Sequence, residues 1–224
     1  AMVGAIPLYL SAAFILEEGL PIATLRRIAA SVRRAAREAR VKIVAGDTKV
    51  VERGSADGLF VNTAGVGILP EGISISGSNA RPGDVVILSG PIANHGISVL
   101  LEREQMGFVN SVRSDVAPLN HLVAAMLRAS RNVHALRDPT RGGLATTLVE
   151  IAQQSSVGIR IHEEKIPVEQ EVAAACEVLG YDPLYVANEG KFIAMVSTGD
   201  AERVLATIRK MKYGPAATSI GEVR

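Results

Sequence analysis

The sequence predicts an α/β protein with two domains. Downstream of residue 84, segments with apolar residues at helical spacing alternate with short apolar strands, a pattern that is typical of a layered α/β domain. Upstream of residue 77, the pattern indicates strand, helix, strand, strand. Residues 77–84 collect glycine, proline and small polar residues, which favour turns, so we place the domain boundary between residues 78 and 79.

The composition is that of a folded chain with little net charge. The 224 residues allow two domains, and 48% hydrophobic against 21% charged residues excludes a disordered chain. The net charge is +1, with four phenylalanines, four tyrosines and no tryptophan, so we expect no nucleic-acid or membrane partner. The single cysteine excludes an internal disulfide framework and fits a cytoplasmic protein.

The first domain is predicted to contain three strands and one helix. Residues 1–16 carry no charge, but they are too few to span a membrane and contain Gly4 and Pro7, so we interpret them as a buried strand. Residues 25–39 have apolar residues at helical spacing, which predicts an amphipathic helix. We assign no function to the arginines on its outer face. Two further strands are predicted at residues 41–45 and 59–66.

The second domain is predicted to alternate helices with strands. The helices are expected at residues 95–105, 118–129, 142–154, 169–179 and 200–211. The strands are expected at residues 85–88, 133–136, 159–162, 184–187, 191–197 and 218–223. Loops at the ends of such strands are where domains of this class place ligands.

The segment Gly46 to Lys49 is the sharpest candidate site. It is predicted to form a turn that leaves a strand, with the carboxylate of Asp47 and the amine of Lys49 close together. A carboxylate suits Mg²⁺, and a lysine neutralises phosphate oxygens, so the pair is a candidate for holding a metal and a nucleotide. An ordinary turn would contain the same residues, and this alternative stays open.

Three further segments follow predicted strands. Residues 89–96 lead into a helix, whose first backbone amides suit an anion. Residues 137–143 have paired glycines that allow close approach of a ligand, although a plain helix cap by the aspartate or the threonine is the alternative. Residues 187–191 offer Glu189 as a general acid or base, although a surface hairpin turn would look similar.

The cysteine and most histidines are not expected to take part in catalysis or metal binding. Cys176 lies within a helical apolar stretch, which favours a buried structural thiol over a nucleophile. His95 lies in a candidate loop, whereas His121, His134 and His162 are expected at the surface or at helix edges because no metal-ligand spacing joins them.

Five segments carry a resemblance to a known family. They are PLYLS at 7–11, FILEEG at 14–19, GDTKVV at 46–51, LRDPTRGG at 136–143 and ANEGK at 187–191. Together they closely resemble the HypE family of hydrogenase expression/formation proteins. This family belongs to the superfamily of aminoimidazole ribonucleotide (AIR) synthetase and selenophosphate synthetase. The resemblance covers essentially the whole chain, in the right order.

The resemblance implies a PurM-like architecture with two domains. Residues 1–78 would form an incomplete αβ domain whose sheet pairs across a homodimer, and residues 79–224 a three-layer αβα domain, with ATP and Mg²⁺ held between the two. It implies an ATP-dependent carbamoyl dehydratase for [NiFe]-hydrogenase maturation. The enzyme would convert a terminal cysteine S-carboxamide, made by HypF, into a thiocyanate that donates cyanide to iron on HypC–HypD.

The resemblance also implies a role for each candidate residue. Asp47 would bind the metal, Lys49 would contact the reacting phosphate or thiocarboxamide, and Glu189 would act as the base. The residues expected to bind the nucleotide are Asp47, Thr48, Asn94, His95, Asp138, Thr140, Arg141, Gly142 and Gly143.

Two departures from the family pattern qualify these expectations. The family has an acidic, glycine-rich segment upstream of the position of Ala1 and a Pro-Arg-Ile-Cys tail downstream of Arg224. We therefore expect this chain to be a piece that lacks the acceptor cysteine and does not bind ATP normally. Two alternatives stay open: a sister AIR or selenophosphate synthetase, and a non-catalytic dimerisation or docking module.

Overall fold

The computed structural model of the chain describes residues 1–104 and 112–224. These residues form two compact units. We call residues 5–70 the sheet unit, and residues 1–4 with 71–224 the layered unit. The expected assignment of residues 1–78 and 79–224 to a dimerisation domain and a second αβ domain stays a prediction.

The sheet unit has the predicted order of strand, helix, strand, strand. Its elements are β1 (Ile6–Glu17), α1 (Ile22–Ala39), β2 (Lys42–Val51) and β3 (Leu59–Ile68). The sheet order is β2-β1-β3, with β2 parallel and β3 antiparallel to β1. Parallel neighbours need a long crossover, which α1 provides, whereas residues 52–58 pass the end of β1 to connect β2 with β3 on the other side of it.

The sheet unit exposes apolar side chains on all three strands. In β1, only Ala12 and Leu16 are buried, so the prediction of a buried strand holds for few of its residues. The exposed large apolar side chains of the three strands are Ile6, Tyr9, Ile15, Ile43, Val44, Val50, Phe60, Val61, Val66 and Ile68. An apolar surface of this extent indicates an interaction site rather than a solvated face.

The layered unit is built on one antiparallel sheet in the order β5-β7-β4-β8-β6. The strands are β4 (Asp84–Leu88), β5 (Val133–Arg137), β6 (Ile159–Ile161), β7 (Ile193–Ser197) and β8 (Thr218–Val223). The helices are α2 (Asn94–Arg103), α3 (Asn120–Ala129), α4 (Gly143–Ser155), α5 (Gln170–Leu179) and α6 (Thr198–Arg209).

Helices cover both faces of this sheet, which gives the predicted three layers. Alternate residues of a strand point to opposite faces. In β4, Val86 and Leu88 pack in a cluster with α4, whereas Ile87 packs in a second cluster with α3 and α6. In β7, Ile193 and Ala194 divide between the clusters in the same way. Strands that are apolar on both faces are therefore required in this unit.

Three predicted elements differ from the structure. The strand expected at 184–187 is a short 3-10 turn, Pro183–Tyr185, because proline lacks an N–H for strand pairing and Asp182 accepts a hydrogen bond from the Leu184 amide. The strand expected at 41–45 continues to Val51. The helix expected at 95–105 ends at Arg103, and residue 105 lies outside the described residues. In the part of the chain that the structure describes, no helix is long and apolar enough to cross a bilayer.

Candidate functional site

Asp47, Thr48 and Lys49 lie within strand β2 and not on a turn. This corrects the prediction that the strand ends before Gly46. The pairing with β1 continues past these residues to Glu17 opposite Val51, because β1 is twelve residues long and offers backbone partners throughout. A Cβ on Gly46 would lie 2.5 Å from the Ala12 carbonyl oxygen, so this glycine permits close approach of two strands rather than a turn.

The strand geometry puts Asp47 and Lys49 on one face of the sheet and Thr48 on the other. All three residues are exposed. Oδ1 of Asp47 accepts a hydrogen bond from the Thr48 amide at 2.8 Å, which fixes the carboxylate beside the strand. One exposed carboxylate with a lysine on the same face fits Mg²⁺ bound to phosphate, because Mg²⁺ takes few protein ligands and completes its shell with phosphate and water. Thr48 faces away from that pair.

In the layered unit, the three predicted loops converge. The Gly96 amide donates to the Ala187 carbonyl at 3.1 Å, and the Asn188 amide donates to the Pro139 carbonyl at 3.2 Å. The Ser89 amide donates to the Phe192 carbonyl at 3.0 Å. The structure therefore brings together residues 89–96, 137–143 and 187–191, as a shared site requires.

The loop after β4 has a strained residue and a buried amide. Ala93 has φ of 73°, a left-handed conformation that is uncommon for a residue with a Cβ. Asn94 is 5% exposed, and its Oδ1 has no hydrogen-bond partner among the described residues. Nδ1 of the half-buried His95 lies 2.8 Å from the Ser114 hydroxyl oxygen. Asn94 therefore offers an unused acceptor at the start of α2.

The loop after β5 ends in two glycines with positive φ, Gly142 at 72° and Gly143 at 66°. A Cβ on Gly143 would overlap the Leu184 carbonyl, so this position requires glycine. Gly142 precedes α4, and no described side chain caps that helix. The alternative of a plain cap by Asp138 or Thr140 is therefore not observed.

The polar side chains of this loop differ in exposure. Asp138 and Arg141 are exposed, and Thr140 is half-buried, with its amide donating to the Asp138 carbonyl at 3.0 Å. The neighbouring Arg137 forms an ion pair with Glu150 at 2.7 Å. Arg137 is therefore engaged with α4, whereas Arg141 remains accessible at the surface.

Glu189 and Lys191 do not pair with each other. Nζ of Lys191 lies 2.6 Å from Oδ2 of Asp115, and these side chains are 9% and 20% exposed. Glu189 is half-exposed, and its side chain has no hydrogen bond or ion pair with any described residue. The alternative of a surface hairpin turn is not observed. The element just before Ala187 is the 3-10 turn Pro183–Tyr185 rather than a strand, and Asn188 is buried.

A cavity of about 440 Å³ adjoins the Lys191–Asp115 pair. Its polar lining includes Ser89, Glu169 and Tyr213, and Oδ1 of Asp115 is buried there without a partner in the described ranges. The sequence did not point to Asp115 or Asn188. Asp115 lies in an irregular segment without a pattern, whereas Asn188 belongs to the ANEGK segment and could have been singled out.

The cysteine and histidine predictions have mixed outcomes. Cys176 is buried in α5, and burial raises the pKa of its thiol, which confirms the structural interpretation. The surface prediction for His134 is wrong: its side chain is 13% exposed, and Nδ1 lies 2.9 Å from both carboxylate oxygens of Asp84. Within residues 1–104 and 112–224, no three His, Cys, Asp or Glu side chains are grouped to hold a metal.

Both parts of the chain match domains of one known protein family. Residues 1–69 match the N-terminal domain, and residues 81–224 the C-terminal domain, of the AIR synthase related proteins. Over 223 residues, the chain is 56% identical to the carbamoyl dehydratase HypE of Cupriavidus necator, covering 100% of this chain and 64% of that protein. The chain thus spans somewhat less than two thirds of the length of this relative.

Two solved structures are closely similar. A HypE from a HypE–HypF complex has 50% identity and a TM-score of 0.97, covering 100% of this chain and 73% of that one. A HypE in complex with ATP has 48% identity and a TM-score of 0.96, covering 99% of this chain and 66% of that one. The fold, the converging loops and these likenesses agree, and the chain belongs to the HypE family of AIR synthase related proteins.

Proposed function

We propose that the protein takes part in [NiFe]-hydrogenase maturation as an ATP-dependent carbamoyl dehydratase. The reaction would remove water from a cysteine S-carboxamide and yield a thiocyanate, the source of a cyanide ligand. Membership of the HypE family and the name of the Cupriavidus relative support this proposal. An ATP complex is known for a HypE of similar sequence, which supports ATP as the co-substrate.

The observation that carries the proposal is the position of Asp47 and Lys49 on one exposed face of β2. Phosphoryl transfer depends mainly on positioning and on neutralising phosphate charge. Asp47 would hold Mg²⁺, which screens the phosphate oxygens when bound. Lys49 would contact the transferred phosphate or the oxygen of the carboxamide. Phosphorylation of that oxygen turns it into a leaving group, so that loss of phosphate completes the removal of water.

Glu189 is our candidate for the base that removes the N–H protons of the carboxamide. A base must be accessible and must not already be engaged with another partner. The side chain of Glu189 is half-exposed and makes no polar contact with the described residues. The adjoining loops would supply backbone amides and the side chains of Asn94, His95 and Arg141 for the nucleotide.

We further propose that the protein is cytoplasmic and that it has three kinds of partner. The exposed apolar side chains of the sheet unit suit a second copy of the chain, because such a surface is stable in water only when it is covered. HypF is the proposed source of the carbamoyl group, since a HypE–HypF complex is known for a relative. The HypC–HypD complex is the proposed acceptor of cyanide.

The role of Asp47 is tested by its substitution with alanine in the full-length protein. We expect Asp47→Ala to weaken Mg²⁺-dependent ATP binding and to lower phosphate release about 100-fold or more, because a metal ligand is lost. Calorimetry and a phosphate-release assay measure the two effects. Asp57→Ala is the matched control, because Asp57 is an exposed acid of the same sheet unit. Unchanged affinity and turnover in Asp47→Ala would contradict the metal assignment.

A further inference from the structure

Asn188 is 2% exposed, and its side-chain amide binds the main chain of two other segments and of a residue just before it in its own segment. Oδ1 accepts a hydrogen bond from the Ala93 amide at 2.7 Å. Nδ2 donates to the Pro139 carbonyl at 3.0 Å and to the Val186 carbonyl at 2.9 Å. Both N–H groups and the oxygen are therefore used. The loops after β4 and β5 are joined through this one side chain to the segment that contains Glu189.

The hydrogen bond between the Ala93 amide and Asn188 is made at a residue with a strained backbone. A residue with a Cβ pays about 1 kcal/mol or more for a left-handed conformation such as the φ of 73° at Ala93. Such a conformation persists when its surroundings determine it strongly. The Ala93 amide is the group that donates to Asn188, so this bond helps to hold the strained turn at the start of α2.

The main chain on the other side of Glu189 is fixed as well. Gly190 has φ of 62°, and a Cβ at this position would overlap the Asp115 carbonyl. Lys191 is anchored on Asp115 by its ion pair. The backbone of Glu189 is thus held by both neighbours, whereas its own side chain makes no polar contact with the described residues. This combination places a free carboxylate on a rigid support.

We propose that Asn188 is a positioning residue that holds Glu189 in place for catalysis by tying its main chain to the two adjoining loops. This inference rests on the proposed role of Glu189 as the base. A base has to reach the proton that it removes, and a displacement of about 1 Å costs on the order of 100-fold in rate. Asn188 itself is buried and acts only through the position of Glu189.

Two substitutions separate this role from a contribution to stability. Asn188→Asp keeps an acceptor for the Ala93 amide and removes both donors. Asn188→Ser is too short to reach any of the three partners and adds no charge. In the full-length carbamoylated protein, we expect kcat at saturating ATP to fall about tenfold or more in both variants, whatever the change in KM for ATP, because the loops that Asn188 joins also border the proposed nucleotide site. Hydrogen exchange at the Ala93 amide should become faster in Asn188→Ser.

Ser130→Ala is the matched control. Ser130 is 4% exposed and donates to Oδ2 of Asp200 at 2.5 Å, so its loss also removes a buried hydrogen bond of the layered unit, outside the three loops. We expect a lower melting temperature with wild-type kcat. The proposal is overturned if the Asn188 variants lose no more kcat than Ser130→Ala, or if the Ala93 amide exchanges freely in the wild-type protein.

A third variant distinguishes failure of the inference from failure of the proposed function. If Glu189→Gln is inactive while Asn188→Asp keeps its kcat, the positioning role alone is wrong. If Glu189→Gln turns over at the wild-type rate, Glu189 is not the base, and both proposals fail. Slow turnover at saturating ATP in Glu189→Gln and in both Asn188 variants, with normal turnover in Ser130→Ala, would support the inference.

Discussion

Glu189 and Lys191 lie two residues apart and have opposite surroundings. The ammonium group of Lys191 is buried against Asp115, whereas the carboxylate of Glu189 is half-exposed and unpaired among the described residues. A buried charge is stable only when it is paired. We therefore expect Lys191 to support the loop and Glu189 to react.

Removal of one partner of the buried pair should destabilise the protein strongly. In Lys191→Met, the Asp115 carboxylate loses its counter-ion, while its Oδ1 is already buried without a described partner. We expect the free energy of unfolding to fall by about 3 kcal/mol, measured by urea denaturation. Asp115→Asn combined with Lys191→Met should recover part of this loss, because no unpaired charge then remains.

The control for this prediction is an ion pair of the same unit whose cation is exposed. Arg203 pairs with Asp200 at 2.5 Å; the Arg203 side chain is 60% exposed, and Asp200, which is 15% exposed, also accepts hydrogen bonds from Ser130 and Asn132. We expect Arg203→Met to cost less than about 1 kcal/mol, because solvent screens the exposed guanidinium and Asp200 keeps its other two hydrogen bonds. Equal losses of the free energy of unfolding in Lys191→Met and Arg203→Met would contradict the larger contribution that we assign to the buried pair.

At the level of elements, β2 shows how a long partner strand overrides a local turn signal. Gly46 and Asp47 are common turn residues, yet β1 supplies a continuous partner through Glu17. Glu17 then fixes the next connection: Oε1 accepts from the Gly54 amide at 2.6 Å, and Oε2 accepts from the Gly58 amide at 2.9 Å. The end of β1 therefore anchors the turn between β2 and β3.

The Glu17 anchor predicts a dependence of stability on pH. The backbone amides of Gly54 and then of Gly58 lower the pKa of Glu17 from its ordinary value of 4.5, because they stabilise the ionised form. A lowered pKa in the folded state means that the stabilisation is fully present above pH 4.5 and is lost as the pH falls through the folded pKa. The melting temperature of Glu17→Gln should lie below that of wild type at pH 7 and approach it in acid.

Glu18→Gln provides the comparison for this prediction, since Glu18 is exposed and adjacent in sequence. We expect its melting temperature to follow that of wild type across the same range of pH. A constant difference between Glu17→Gln and wild type at every pH would contradict the role of the carboxylate.

The sequence predicted those elements whose signal is local and periodic. The helices α1, α4, α5 and α6 and the strands of the layered sheet were found from apolar spacing. The turn predicted at Gly46 and the strand predicted at 184–187 failed because the outcome there depends on a distant partner strand and on a proline. For the candidate site, the sequence indicated the three loop segments, but it did not indicate the residue that pairs with Lys191. Nothing local in sequence marks Asp115 as the residue that a buried lysine contacts.

For the whole molecule, each unit contributes a different part of the proposed chemistry. The sheet unit presents Asp47 and Lys49, which suit a metal-bound phosphate, together with exposed apolar side chains that suit a second copy. The layered unit gathers three loops around Asn188 and contains the half-exposed Glu189, which we propose as the base. Both kinds of group are needed, because removal of water from an amide requires activation of oxygen and loss of N–H protons.

The mass of the carbamoylated full-length protein tests the proposed reaction most directly. After addition of ATP and Mg²⁺, intact-mass spectrometry should show the loss of one water molecule from the modified cysteine in the wild-type protein. Lys49→Ala should retain the carbamoyl mass, whereas the surface variant Lys42→Ala should behave as wild type. ATP hydrolysis without any loss of water, or loss of water without ATP, would contradict the assignment of an ATP-dependent dehydratase.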